Sequence, residues 1–381
     1  MRCTGSVDLN FANPRVLLEL IEVFLYHLTQ GIQVIRLDAI AYVWKEIGHP
    51  SIHHPKTHLI VKLFRAICDR YFPWVIIITE TNVPHTENIS YFGAGNDEAH
   101  MIYQFSLPPL TLDAFVRGDS TYLSKWAKSI EAGSDPVTYF NFLASHDGVG
   151  VTPTHEILSE TELESLIDTV KSRGGLVSYK ATASGEIPYE LNVNYRDAVT
   201  DPSLSDSDRA AQFVAAQAIM LTVIGVPGIY IHSILGSGNY LEGVEQTKAN
   251  RTINREKLDL ESVRAELRDP SSMRSLIYRN MAKLLTIRKG QKSFHPRASQ
   301  RIIDIDKAIF CVVRRAIDDS QTIIGLINLT GSPQEVSFDP GDTGFDRGGP
   351  VRDLVEDAAF SWEGDNLVGT ISPWQVVWMT P

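Results

Sequence analysis

The sequence predicts an α/β protein in which a parallel sheet is covered by helices and followed by an antiparallel β module. Three observations carry that expectation. Short runs such as VIRL at 34–37 and VIIIT at 75–79 are apolar on both faces and are separated by stretches of helical spacing, as expected for strands buried on both sides. From about residue 293 the pattern changes to short alternating stretches bounded by turn residues, the signature of antiparallel strands. Over its 381 residues the chain is 43% hydrophobic and 21% charged, a composition that supports a packed core rather than disorder.

Taken in order, Asn13 and Pro14 read as N-cap and first helical position, and Leu17, Leu20, Ile21, Phe24, Leu25 and Leu28 recur at helical spacing until Gly31. IQVIRLDAI is the first strand, THLIVKLFRAICDRY (57–71) the second helix and PWVIIITET (73–81) the second strand. MIYQFSLPP (101–109) predicts a third strand and TYFNFLASHDG (138–148) a fourth; VPGIYIHSILG (226–236), after the helix RAAQFVAAQAIMLT, predicts a fifth. Residues 149–208 break the rhythm with Gly174-Gly175, Pro188 and the Ser/Asp-rich DPSLSDSD, and read as an insertion. A long helix near 271–289 leads into the last module, with AIFCVVRRA, QTIIGLINLTG, QEVSFDP and NLVGTISPWQVVWMTP as its strands. The expected domains are therefore 1–148 with 209–292, an inserted subdomain at 149–208, and a β domain at 293–381.

Several function classes are disfavoured. A net charge of −11 without a compensating Lys/Arg run repels phosphate backbones, so no nucleic-acid partner is expected. Cys3, Cys68 and Cys311 lack CxxC spacing and suggest neither a disulfide framework nor a zinc ribbon. The N-terminus MRCTGSVDLNF has no charged head followed by an apolar run, and no stretch offers eighteen uninterrupted apolar residues. Neither a secretory signal nor a membrane span is expected, and a cytoplasmic location fits. HPSIHHPKTH brings His49, His53, His54 and His58 close in sequence, but its two prolines oppose a regular helical metal site and no metal is expected. GSGN at 236–239 lacks the rest of a nucleotide loop and reads as a turn. Phe310, Trp362, Trp374 and Trp378 read as core of the last module rather than as a sugar platform.

The charges at strand ends point to chemistry. Asp38 follows VIRL, Glu80 follows IIIT and Asp147 follows LASH, and active sites of parallel α/β proteins are built at the carboxyl ends of strands. A single acid there is equally a helix cap or the partner of a salt bridge such as Arg36–Asp38; three acids at equivalent positions favour a site. Paired carboxyls are the chemistry of glycosidic bonds: one attacks the anomeric carbon and the other protonates the leaving oxygen, with about 5–5.5 Å between them when configuration is retained. Glu80, ending an apolar run, suits the acid; Asp38, two residues from Arg36, suits the ionised nucleophile. His146 and Asp147 offer the donor and acceptor that sugar hydroxyls require.

These segments resemble a known family. GIQVIRLDAIAYVWKE, IIITETN, YQFSLPPLTL, NFLASHDGVG, VPGIYIHSILGS, RTINREKL and SPWQVVWM are similar, in order, to strand motifs of the α-amylase superfamily. They most resemble its sucrose phosphorylase group, which includes sucrose 6-phosphate and glucosylglycerate phosphorylases. The resemblance implies a (β/α)8 (TIM) barrel with Asp38 as nucleophile, Glu80 as acid/base and Asp147 as transition-state stabiliser. It implies that Arg36 and His146 line the glucosyl subsite, that Tyr42 and Arg251 help admit phosphate, and that the 149–208 insertion shapes the acceptor side. No cofactor is implied beyond inorganic phosphate as co-substrate, and the expected partners are a small-molecule sugar and phosphate. NFLASHDG and PYELN look closer to the sucrose 6-phosphate and glucosylglycerate members, so an anionic aglycone is expected.

Only five barrel strands are legible where a closed barrel has eight, and the resemblance begins at SVDLNFANP, with MRCTG departing from it. The expected fold is thus an incomplete (β/α)8 barrel with an inserted subdomain and a C-terminal antiparallel β domain. The chain is then a fragment or truncated gene product, or a complementing chain or second copy supplies the rest. Two other functions stay open: a non-catalytic remnant that binds sugar weakly or acts as a partner, and a retaining α-glucosidase or transglucosidase.

Overall fold

A computed structural model describes residues 8–131, 136–182, 185–341 and 343–381. The chain divides into two compact units, Met1–Phe105 with Gly133–Phe140, and Ser106–Ala132 with Asn141–Pro381.

The first unit carries the parallel strands β1 (Val34–Leu37), β2 (Ile76–Thr79), β3 (Met101–Tyr103) and β4 (Thr138–Asn141, its last residue in the second unit). They lie in sequence order, with Leu37 opposite Thr79, Thr79 opposite Ile102, and Ile102 opposite Tyr139. Helix α1 (Pro14–Thr29) starts where the sequence predicts: the Asn13 side chain accepts the Arg15 amide at 3.1 Å and Pro14 opens the first turn. Gly31, at φ +86°, takes the chain out of the helix into β1, a conformation that favours glycine. Helix α2 (Pro55–Tyr71) lies beside it, with Phe24 and Phe64 rings 4.6 Å apart. Leu28, Ile60, Cys68, Val75 and Ile77 complete this core, each large side chain contributing about 1.5–3 kcal/mol by burial. The short helix α3 (His85–Asn88) follows β2.

In the second unit, Asn141 donates to the Ile224 carbonyl at 2.8 Å and accepts from the Gly228 amide at 2.7 Å. Helices α4 (Leu107–Arg117) and α5 (Thr121–Ser129) come first, then β5 (Val149–Gly150), α6 (Glu160–Ser172), and the hairpin strands β6 (Leu176–Thr182) and β7 (Gly185–Asn192). β5, β7 and β6 form a small antiparallel sheet. After α7 (Tyr195–Val199) comes α8 (Asp206–Thr222), buried almost all round from Gln212 to Thr222, as a central helix must be apolar on every face. β8 (Val226–Pro227), α9 (Ile231–Ile234), α10 (Leu241–Thr247), α11 (Leu260–Arg268) and α12 (Met273–Lys289) lead to the C-terminal module.

That module holds β9 (Ser299–Ile303), β10 (Ile309–Arg315), β11 (Thr322–Asn328), β12 (Gln334–Phe338), β13 (Arg352–Asp353), β14 (Phe360–Glu363), β15 (Asn366–Ile371) and β16 (Val376–Thr380). They form antiparallel sheets ordered β13-β16-β11-β10-β9 and β12-β15-β14. Side chains of both, among them Cys311, Leu326, Phe338, Leu367 and Met379, share one core. Phe310 and Trp378 are wholly buried, Trp374 nearly so, and Trp362 packs on that core, which is the core reading of these aromatics. Arg314 is also wholly buried, its guanidinium donating to the carbonyls of Ser299, Thr222, His295 and Ala298.

Three expected elements differ. The third strand stops at Tyr103, and Pro108 and Pro109 belong to the first turn of α4, where a missing amide costs nothing. The fourth stops at Asn141. The fifth is only Val226–Pro227, and Ile231–Ile234 turns into a helix. Cys68 and Cys311 are buried free thiols; Cys3 and the MRCTG segment lie outside the described residues. No helix is long and apolar enough to cross a membrane among the described residues.

Candidate active site

The first unit places Arg36, Asp38 and Glu80 together. Because Leu37 is opposite Thr79, the next residues of the two strands, Asp38 and Glu80, leave the sheet side by side. Arg36 Nη1 lies 2.6 Å from Asp38 Oδ1 and Nη2 lies 3.8 Å from Glu80 Oε1. Ala39 adopts the left-handed region at φ +47°, unusual for a residue with a Cβ, and in that turn its amide donates to Glu80 Oε2 at 2.9 Å. The strained residue thus ties the end of one strand to the acid of the next.

The two carboxylates have unlike surroundings. Asp38 is 72% exposed and Glu80 15%. Arg36 also stacks over the Tyr103 ring, 5.3 Å from its centroid. Burial would lower the Arg36 pKa, but Tyr103, Glu80 and Asp38 together hold it above its ordinary value. Burial chiefly raises the Tyr103 phenol. Tyr42 ends a 3-10 turn, Ile40–Tyr42, and lies near Tyr91. The histidines after β1 are separately engaged: His53 contacts Tyr91 and Glu87, His54 faces Glu46, and His58 contacts Glu98. No group of three or more His, Cys, Asp or Glu side chains that could hold a metal occurs among the described residues.

The second unit places His146, Asp147 and Arg251 together. Asp147 lies six residues beyond β4, on the loop that enters β5, rather than at a strand tip. Two arginines converge on it: Arg251 Nη1 at 2.8 Å and Arg255 Nη2 at 3.0 Å, both to Oδ1. Arg255 Nε also donates to the His146 carbonyl at 2.6 Å, and His146 Nε2 is 3.7 Å from Asp147 Oδ2. The buried Asn254 donates to the carbonyls of Ser145 and Asp147. Gly148 is needed here, since a Cβ would come 2.4 Å from the Leu191 carbonyl oxygen on β7. Arg251 turns its other edge to Glu190 on β7, with Nε at 3.0 Å and Nη2 at 2.6 Å from the carboxylate oxygens. Burial would lower the Arg251 pKa, but Glu190 and then Asp147 hold it above the ordinary value.

Sequence reasoning missed Tyr103, Glu190, Asn254 and Arg255. Arg255 had a signal, since RTINR offers two arginines at i, i+4 on a short turn. Glu190 had a weaker one, an acid in the otherwise apolar end of a strand. GSGN forms a turn after α9, where the Asn239 amide donates to Asp197 at 2.7 Å.

Parallel strands alternating with helices define an α/β protein of the barrel kind, with two carboxylates at neighbouring strand ends in the first unit and, in the second, an acid gripped by arginines. The alpha-amylase catalytic-domain family matches residues 1–153. A glucosylglycerate phosphorylase of Spirochaeta thermophila is 50% identical over 99% of this chain and 65% of its own length. One from Escherichia coli is 42% identical over 98% of this chain and 65% of its own. The crystal structure of sucrose 6F-phosphate phosphorylase from Thermoanaerobacter thermosaccharolyticum matches with a TM-score of 0.68 at 22% identity, over 85% of this chain and 61% of that one. Residues 1–153 belong to the alpha-amylase catalytic-domain family, and over nearly its whole length the chain is similar to members of the sucrose phosphorylase group. Its fold is that of an incomplete (β/α)8 barrel followed by an antiparallel β domain. It spans 65% of the length of these curated relatives.

Proposed function

We propose that the chain carries the catalytic groups of a retaining glycoside phosphorylase that moves a glucosyl unit from glucosylglycerate to phosphate. The observation that carries this reading is 50% identity over 99% of the chain to a relative named for that activity. In the first step the Asp38 carboxylate attacks the anomeric carbon, and the bond to the glycerate oxygen breaks as Glu80 gives that oxygen its proton. The β-glucosyl ester of Asp38 is then attacked by a phosphate oxygen, whose proton returns to Glu80; the ester bond breaks to restore the Asp38 carboxylate, and α-glucose 1-phosphate leaves. Neighbouring parallel strands are about 4.8 Å apart, so the Leu37–Thr79 register supports a retaining separation of the two carboxyls. Enclosure supports Glu80 as the acid, and the Arg36 ion pair supports Asp38 as the ionised nucleophile.

Asp147 is assigned to transition-state stabilisation, Arg36 and His146 to the glucosyl subsite, and Tyr42 and Arg251 to phosphate, which needs cationic and hydroxyl groups more than a base. Residues 1–148 with 209–292 form the partial barrel in this reading, 149–208 shapes the acceptor side, and 293–381 is the β domain. No cofactor, nucleic acid or membrane takes part, the location is cytoplasmic, and the barrel is completed either by the rest of a longer protein of which this chain is a fragment or by a complementing chain or second copy. One observation favours a second reading, inactivity in isolation: Asp38 is largely exposed on a strand that ends its sheet among the described residues.

The test is a panel of glucosylglycerate, sucrose 6-phosphate and sucrose, each with and without phosphate, given to a catalytically competent form carrying these segments and scored for glucose 1-phosphate and glucose. Glucosylglycerate with phosphate is expected to give the most glucose 1-phosphate. Sucrose as the best substrate would overturn the anionic aglycone, and glucose formed equally fast without phosphate would point to a glucosidase.

A further inference from the structure

Glu190 has no part in the reaction above, yet it is the most elaborately held carboxylate beside Arg251. Its side chain is 5% exposed on β7 and takes Arg251 by both oxygens. Oε1 also accepts the Asn192 amide, Asn192 Oδ1 accepts the Ser178 hydroxyl at 2.6 Å, and Asn250 donates to that hydroxyl at 3.4 Å. The network leaves Arg251 through Glu190, crosses the β6–β7 hairpin and returns to the residue next to Arg251. By contrast, Arg251 meets Asp147 through Nη1.

A guanidinium is a rigid planar fork on a flexible stem. Held through Nε and Nη2, it presents one edge; released, it is drawn to the nearest anion, and here that is Asp147. We propose that Glu190 is the positioning residue of the anion site: by holding the Nε–Nη2 edge of Arg251 it lets the guanidinium meet Asp147 through Nη1 alone and stay open to an incoming phosphate, instead of closing on Asp147 with two nitrogens. This inference rests on the assignment of Arg251 to phosphate. It differs in sign from a purely electrostatic role: a carboxylate that only offset the charges of Arg251 and Arg255 would weaken anion binding, and removing its charge would tighten it.

The experiment titrates inorganic phosphate into the full chain by calorimetry and follows the Arg251 Nε–H resonance by NMR, with thermal melting alongside. Wild type, R251M, E190Q and E190D are compared. E190D keeps the charge but shortens the reach by one methylene. Loss of charge-assisted bonds predicts phosphate binding weakened at least about fivefold in both Glu190 variants, with melting little changed and the Arg251 Nε–H signal shifted. Unchanged or tighter phosphate binding in E190Q, or wild-type binding and an unmoved Nε–H signal in E190D, would overturn the positioning role while leaving Arg251 in place. Should E190Q fail to fold, the E190D result alone decides. Wild-type phosphate binding that survives R251M, or its absence in the wild-type chain, would overturn the phosphate assignment and this inference with it.

Discussion

Asp38 and Glu80 are chemically alike and one strand apart, so the division of labour proposed for them rests on surroundings: the first is open and paired with Arg36, the second enclosed and held by the Ala39 amide. In a catalytically competent form carrying these segments, Asp38→Asn is expected to abolish turnover of every donor, because an amide cannot form the glucosyl ester. Glu80→Gln is expected to lose activity on glucosylglycerate yet retain it on glucosyl fluoride, whose leaving group needs no proton. Steady-state rates of both variants on both donors check this, and equal loss on glucosyl fluoride would refute the assignment. Gly148 supplies a second residue-scale test. Gly148→Ala forces a Cβ into the Leu191 carbonyl, which predicts a loss of about 1–3 kcal/mol in denaturant unfolding. The strand-end positions of Asp38 and Glu80 were legible because each acid closes a short, mostly apolar run, VIRL and IIIT. Glu190 and Arg255 were missed because the local signals in PYELN and RTINR mark a charge without naming its partner, which lies 61 and 108 positions away.

At the scale of elements, the helices with caps were easiest to read, as Asn13-Pro14 shows. GIYIHSILG misled because a short apolar run has no periodicity that separates strand from helix, and LPP was read into a strand although Pro108 and Pro109 open α4. The insertion hid α6 behind its turn residues, although Ser159 and Glu162 form a capping box there. Ser159→Ala is expected to cost about 1 kcal/mol in thermal or denaturant unfolding. Helix α4 carries a pH prediction. Burial pushes the Asp113 carboxyl up to about 6, against a smaller opposing pull from Arg117. Its ordinary value is 3.8, so between roughly pH 4 and 6 the native state binds more protons than the unfolded chain, and this group's contribution to stability falls as pH rises through that window. Above it, the buried charge costs about 3 kcal/mol. Asp113→Asn should therefore raise the unfolding free energy at pH 7.5 and change it little at pH 4. A variant with equal effect at both would show that Asp113 does not titrate in this way.

For the whole molecule, the decisive feature lies within the first unit. Among the described residues, thirteen of the nineteen exposed large hydrophobic ones are found there, although this unit holds fewer than a third of the chain's residues. Leu18, Val23 and Tyr26 project from α1, Ile32 and Val34 lie at the start of β1, and Trp74 lies before β2. Scattered through a whole chain they would need no explanation, but gathered in the unit whose β1 ends its sheet among the described residues they offer the kind of surface that other chains or further segments cover. The same openness leaves Asp38 in water, where each electrostatic contribution to a transition state is weakened, and groups set on separate strand tips work only when held to within about half an ångström. The 381-residue polypeptide alone is therefore expected to bind a hydrophobic dye, to self-associate as concentration rises and to form no glucose 1-phosphate. A version joined to the further third of the relatives' length is expected to lose dye binding and gain phosphorolysis together, because one surface governs both. Light scattering, dye fluorescence and product formation on the two proteins side by side provide the measurement. A monodisperse, dye-silent and active 381-residue protein would show that the edge of β1 needs no cover and that Asp38 works in the open.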